Sequence, residues 1–118
     1  NPLAMSVGNA VLDKILKKGF LKSVQVISKY FHSELNKLQS EFPSIIKEVR
    51  GLGLLTGVKI TPDQNLFIKK LIDNRLLTIR AAENVVRLLP PLNVKKENID
   101  EAIAILKKVC KNFKWKIF

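Results

Sequence analysis

The sequence predicts an α+β domain in which a small, mostly antiparallel sheet is covered by helices. Three observations lead there. Four segments repeat apolar residues at three- and four-residue spacing, the period of an amphipathic helix. Between them lie stretches that alternate at every second residue, broken by glycines and by the pair Pro90-Pro91. The chain has 118 residues, 47% of them apolar, which suits one hydrophobic core and not comfortably two. Helices gathered on one face of a short sheet satisfy the order α-α-β-α-β-β-α. No repeat, linker or low-complexity segment interrupts it, so residues 1–118 read as a single domain.

Residues 2–18 fit the first helix. Pro2 takes the first helical position, and Leu3, Val7, Ala10, Val11, Ile15 and Leu16 share one face. Gly8 within it costs about 1 kcal/mol relative to alanine, which predicts close packing there. Gly19 is the expected residue just past the end, after Lys17 and Lys18 at the negative pole of the helix. The second helix spans 20–40, with Phe20, Val24, Ile27, Phe31, Leu35 and Leu38 as its stripe, and Pro43 stops it.

From Ile45 to Ile60 the period becomes that of a strand, Leu54, Thr56, Val58 and Ile60 alternating with Leu55, Gly57 and Lys59. Gly51, Gly53 and Gly57 fall inside it. Glycine weakens an isolated strand, so this cluster predicts a bulge or another backbone lying very near. Thr61-Pro62-Asp63 predicts the next helix start, with Thr61 as the capping hydroxyl and Pro62 at the first position. That helix carries Phe67, Ile68, Leu71 and Ile72 and fades at Asp73-Asn74. Strands at 76–80 and 84–89, joined through Ala81-Ala82-Glu83, end where Pro90 and Pro91 remove two backbone donors. The last helix, 95–113, has Ile99, Ile103, Leu106, Cys110 and Phe113 in one stripe, with Lys95 and Lys96 unfavourably placed at its positive pole.

Composition excludes several classes. An apolar share this high excludes a disordered tail. No run approaches the ~18 apolar residues of a membrane span. The single Cys110 excludes an internal disulfide framework and most cysteine-based zinc sites, and it suits a reducing compartment. The chain starts at Asn1-Pro2 without Met and without a signal-peptide pattern, so it reads as a piece of a longer protein.

Catalytic constellations are thin. His32 has no second histidine or cysteine near it in sequence and reads as a half-exposed surface residue. Cys110 lies on an apolar stripe and reads as a small hydrophobe. The ten carboxylates form no credible acid–base pair, and Gly51-Leu52-Gly53 is not a dinucleotide fingerprint. The formal charge is +11, from 21 basic and 10 acidic residues. Lys107, Lys108, Lys111, Lys114 and Lys116, interleaved with Phe113, Trp115 and Phe118, could form a nucleic-acid surface. Yet only 4 of the 21 basic residues are arginine, and lysine on solvent-facing helical positions is ordinary. A small basic nucleic-acid-binding module stays as the rival from another class.

Arg87 is the exception. In Val85-Val86-Arg87-Leu88-Leu89 a guanidinium sits mid-strand with apolar residues on both faces, which predicts partial burial. A buried guanidinium needs an anion. Either it pairs with a carboxylate of this or a neighbouring domain, or its planar fork clamps a substrate carboxylate. Spacing alone does not choose between them.

Three segments then add a resemblance. Asn1-Pro2-Leu3-Ala4 resembles the end of the Gly-Gly-Asn-Pro-Leu-Ala motif of class III pyridoxal-phosphate aminotransferases. Arg50-Gly51-Leu52-Gly53-Leu54-Leu55 followed by Gly57 is similar to their Arg-Gly-x-Gly-Leu strand. Asn84-Val85-Val86-Arg87-Leu88-Leu89-Pro90-Pro91-Leu92 resembles their C-terminal signature, above all in the acetylornithine aminotransferase branch. The motifs fall in family order and span essentially the whole chain. The departures are Met5, where the family often has cysteine, and Lys95-Lys96 in place of a Ser/Thr and acidic helix start.

The resemblance implies the C-terminal small domain of a fold-type-I enzyme. Pyridoxal 5′-phosphate would be bound by a large domain outside this chain, leaving no catalytic, cofactor-binding or metal-binding residue here and an inactive fragment in isolation. It implies that Arg87 binds a substrate carboxylate or pairs with a glutamate switch that hides it when an amine end must enter, and that Gly51, Gly53 and Gly57 mark where this domain packs on its own large domain. The implied reaction moves an amino group between N-acetylornithine and 2-oxoglutarate in arginine biosynthesis, in a cytoplasmic homodimer acting on a small amino acid and a 2-oxo acid. Ornithine and 4-aminobutyrate aminotransferases share the architecture and are the alternatives within the family.

Overall fold

A computed structural model describes residues 1–114; Trp115, Lys116 and Phe118 of the basic tail lie outside the described residues. The elements are α1 (Pro2–Ile15), α2 (Phe20–Glu41), β1 (Ile46–Leu52), β2 (Leu55–Ile60), α3 (Gln64–Asp73), β3 (Ile79–Ala81), β4 (Val85–Leu88) and α4 (Lys96–Lys114). The sheet is antiparallel throughout, in the order β1-β2-β4-β3. No described helix is long and apolar enough to cross a membrane.

The α+β reading holds, with one strand more than expected. Residues 45–60 are a hairpin rather than a single strand, because the chain reverses at Gly53-Leu54 and brings Leu52 opposite Leu55. Gly51 makes the reversal possible. Its φ is +136°, and a Cβ there would lie 2.1 Å from the Leu55 carbonyl oxygen, so only glycine lets the two backbones approach. The backbone expected near the glycines is thus the other arm of the same hairpin.

The helix ends also differ in detail. Asn1 Oδ1 accepts from the Leu3 and Ala4 amides at 2.9 and 3.4 Å and caps α1. This helix ends at Ile15, and Gly19, at φ +88°, stands instead at the entrance to α2. Asp63 rather than Thr61 caps α3, its Oδ1 accepting from the Leu66 amide at 2.8 Å, while the Thr61 hydroxyl donates to the Ser44 carbonyl. At α4, Asn98 Oδ1 accepts from the Lys95 amide at 3.2 Å, the reciprocal half of a capping box. The helix start at Lys95-Lys96, which lacks the Ser/Thr and acidic opening, is therefore served from within the first turn.

One face of the sheet meets the helices. Val58, Ile60, Val86 and Leu88 point that way and are buried against Phe31, Leu35, Leu38, Phe67, Leu71, Ile99, Leu106 and Val109. Phe113 closes the core, stacked on Phe67 with ring centroids 5.4 Å apart. Polar anchors fix the β3–β4 hairpin. The buried Gln64 amide donates to the Ala81 and Val85 carbonyls, both at 2.7 Å. Asn84 Nδ2 donates to the Ile60 and Pro62 carbonyls at 2.6 and 2.9 Å. Glu83 and Asn84 both take positive φ, 61° and 59°, the pattern of a type I′ turn, which suits the twist of paired strands.

By contrast, α1 contributes nothing to this core. None of its residues is buried, Leu3, Val7 and Val11 are exposed, and Gly8 has no neighbour within 4 Å where a Cβ would stand. The packing expected at Gly8 is absent because the helix projects from the domain, whose extents are 57 × 29 × 23 Å.

A candidate carboxylate site on the open face of the sheet

No helix covers the other face of the sheet. Strand register sets out its middle row: Arg50 on β1, Gly57 on β2, Arg87 on β4 and Ile79 on β3 are successive cross-strand partners. The arginines stand two strand spacings apart, about 9.5 Å at the backbone. Gly57 between them has no side chain, and Val85 leans into the gap; a Cβ on Gly57 would lie 2.9 Å from Val85 Cγ1. The result is a shallow depression of about 310 Å³ that both arginines border.

The two guanidiniums differ in their company. Arg50 donates to Glu83 Oε2 at 3.3 Å and lies 4.0 Å from Glu48 Oε2. Arg87 is exposed and has no hydrogen bond or ion pair among the described residues. The partial burial expected of it does not occur. A strand apolar on both faces reads as covered on both, yet in this chain only one side is covered. Val85 is buried over Gly57, whereas Leu89 on the same face is 59% exposed. A structural pair within the described residues is thereby overturned, and the Arg87 fork has no partner among them. Its backbone is nonetheless firmly placed, because β4 is paired on both edges.

The remaining candidates fall away from this row. His32 is half-buried, and its Nε2 stands 2.8 Å from the Gly53 carbonyl oxygen, an interaction that supports the β1–β2 turn. Cys110 is buried, and burial first, with Glu41 second, pushes its thiol up to about 12. It is an inert core residue. In the basic helix, Phe113 is buried and Lys107 pairs with Glu41 at 2.9 Å, so the interleaving of exposed aromatics with free lysines is lost at both positions. Among the described residues no group of three His, Cys, Asp or Glu side chains could hold a metal ion. Sequence reasoning found Arg87 but gave Arg50 and Glu83 no part. Their meeting depends on where the first hairpin turns, which periodicity did not reveal.

This build is found in solved aminotransferases. The acetylornithine aminotransferase of Elizabethkingia anophelis matches with a TM-score of 0.84 at 29% identity, over 95% of this chain and 30% of that one. The ornithine delta-aminotransferase of Plasmodium falciparum matches with a TM-score of 0.86 at 28% identity, over 96% and 30%. The chain belongs to the class III aminotransferases, whose family description, Aminotransferase class-III, fits residues 1–110. Acetylornithine aminotransferase 2 of Caulobacter vibrioides is 46% identical over 110 residues, which are 93% of this chain and 27% of that protein. The chain thus spans about a quarter of the length of the curated relatives it matches.

Enzymes of this family use pyridoxal phosphate, and the described residues do not build a site for it. None of the described lysines is buried, and the depression between the arginines is bordered by no lysine.

Proposed function

We propose that the chain is the C-terminal small domain of a pyridoxal-phosphate aminotransferase that moves an amino group between N-acetylornithine and 2-oxoglutarate, in arginine biosynthesis. The observation that carries the role of this domain is the exposed, unpaired Arg87 on a strand held from both sides. The curated relatives, named as acetylornithine aminotransferases, favour that branch.

The cofactor, held by a large domain, supplies the electron sink for the chemistry at the amino-bearing carbon. Arg87 binds a substrate carboxylate through two parallel N–H···O bonds, which fixes both the position and the plane of the acid. Gly57 leaves room beside it. The open face, fringed by exposed Leu52, Leu55, Ile79 and Leu89, is the surface that the large domain covers, with Gly51, Gly53 and Gly57 along the contact. Covering it excludes water and strengthens the ion pair. The whole protein works in the cytoplasm as a homodimer on an amino acid and a 2-oxo acid.

The test is a substrate panel on the full-length protein, with 2-oxoglutarate as acceptor. N-acetylornithine is expected to exceed ornithine and 4-aminobutyrate by at least about tenfold in kcat/KM, a difference of about 1.4 kcal/mol in transition-state binding. A preference for ornithine would move the protein to the branch represented by the Plasmodium structure.

A further inference from the structure

We propose that Arg50 is a positioning residue which holds Glu83 away from Arg87 and so keeps the substrate-binding guanidinium free. The inference rests on the reading of Arg87 given above and adds a specific device to it.

Glu83 sits at the tip of the β3–β4 turn, and Arg87 lies four residues further along the same hairpin. Arg50 occupies the same cross-strand row as Arg87 but stands two strands further across, beyond Gly57. Even so, Glu83 Oε2 lies 3.3 Å from Arg50. Four residues along a hairpin separate the Glu83 and Arg87 backbones by at most about 13 Å, a gap that two extended side chains of this length can close. A carboxylate seated on Arg87 would compete directly with an acidic substrate for the same fork.

The turn geometry biases Glu83 towards Arg50. Glu48, two residues before Arg50 on β1, lies 4.0 Å from the same guanidinium and competes for it, but Glu83 at 3.3 Å holds the closer contact. The turn residues Glu83 and Asn84 are pinned in positive φ by the Asn84 side chain, which fixes where the Glu83 side chain starts. The pair is solvent-exposed, so its contribution to stability is small. Its consequence lies in which cation the carboxylate occupies.

The test compares R50Q, R50Q/E83Q, R50K and R87Q in the full-length enzyme loaded with its cofactor. R50Q is expected to raise the KM for 2-oxoglutarate by about fivefold with kcat within about twofold, because released Glu83 then occupies Arg87. R50Q/E83Q is expected to return KM to within about twofold of the parent, and R50K, which keeps a cation for Glu83, to stay near it. An unchanged KM in R50Q, or a double variant as impaired as R50Q, overturns the proposal, the second outcome marking Arg50 as merely structural. Thermal unfolding of both Arg50 variants checks that each is folded, and R50M against R50M/E83Q repeats the comparison should R50Q not accumulate. If R87Q leaves KM and kcat unchanged, the reading of Arg87 itself fails, whatever the Arg50 variants do.

Discussion

Arg87 faces Gly57 across the β2–β4 pair, so the guanidinium is carried beside the one position in its row that has no side chain. The strand is fixed by both neighbours while its charge is left without a partner. That combination serves recognition better than stability. An exposed cation adds little to folding, yet an immobile backbone lowers the entropy lost when an anion is bound.

Arg87→Lys in the full-length enzyme is therefore expected to lower kcat/KM for the dicarboxylic substrate by at least about tenfold, because lysine keeps the charge and loses the bidentate fork. The thermal midpoint should barely move, since no described residue pairs with this side chain. Steady-state kinetics of both half-reactions, with a melting curve as control, decide it. Unchanged kinetics would remove Arg87 from the active site.

Two glycines give opposite expectations when replaced by alanine. At Gly51 a Cβ meets the Leu55 carbonyl oxygen at 2.1 Å with φ at +136°, so Gly51→Ala should cost at least about 2 kcal/mol. At Gly8 the space is open and the residue is helical, so Gly8→Ala should be neutral or stabilising by up to about 1 kcal/mol. Urea unfolding of the two variants of the 118-residue chain gives both values. Equal effects would mean that the β1–β2 hairpin turns elsewhere.

Cys110 makes stability depend on pH in the alkaline range. Its thiol is pushed from an ordinary value of 9.0 to about 12 by burial, so the unfolded chain loses the proton first. The contribution is whole below pH 9 and declines as pH rises from 9 towards 12. Tyr30, raised to about 12 by its hydrogen bond to Asp100, acts in an overlapping window, so the parent must be compared with Cys110→Ala. The parent's urea midpoint should fall more steeply than the variant's above pH 9. At pH 8 a thiol reagent should label Cys110 only on unfolding; fast labelling of the native chain would contradict its burial.

Much of this was legible in the order of the residues. The stripes of α2, α3 and α4 named the helical side of the core, since burial of one helix face requires a period near 3.6, and Phe31, Leu35, Phe67, Leu71, Ile99 and Leu106 obey it. The same period misled for α1, whose apolar face is just as regular but buries no residue against the rest of the described chain. Periodicity records that a face is to be covered, not what covers it. Arg87 shows the same limit. Its apolar neighbours marked the strand as special, and the expectation of burial failed because one face of the sheet stays open.

The sequence by itself determined the class of fold and the core helices and singled out Arg87 as a candidate, because these follow from local spacing and the chemistry of single side chains. Tertiary structure alone decided that Gly51 turns a hairpin, that Arg50, Gly57 and Arg87 share a row, and that Glu83 reaches Arg50. Those relationships depend on strand register, which is fixed by contacts between residues 3 to 33 positions apart and leaves no periodic trace in the chain.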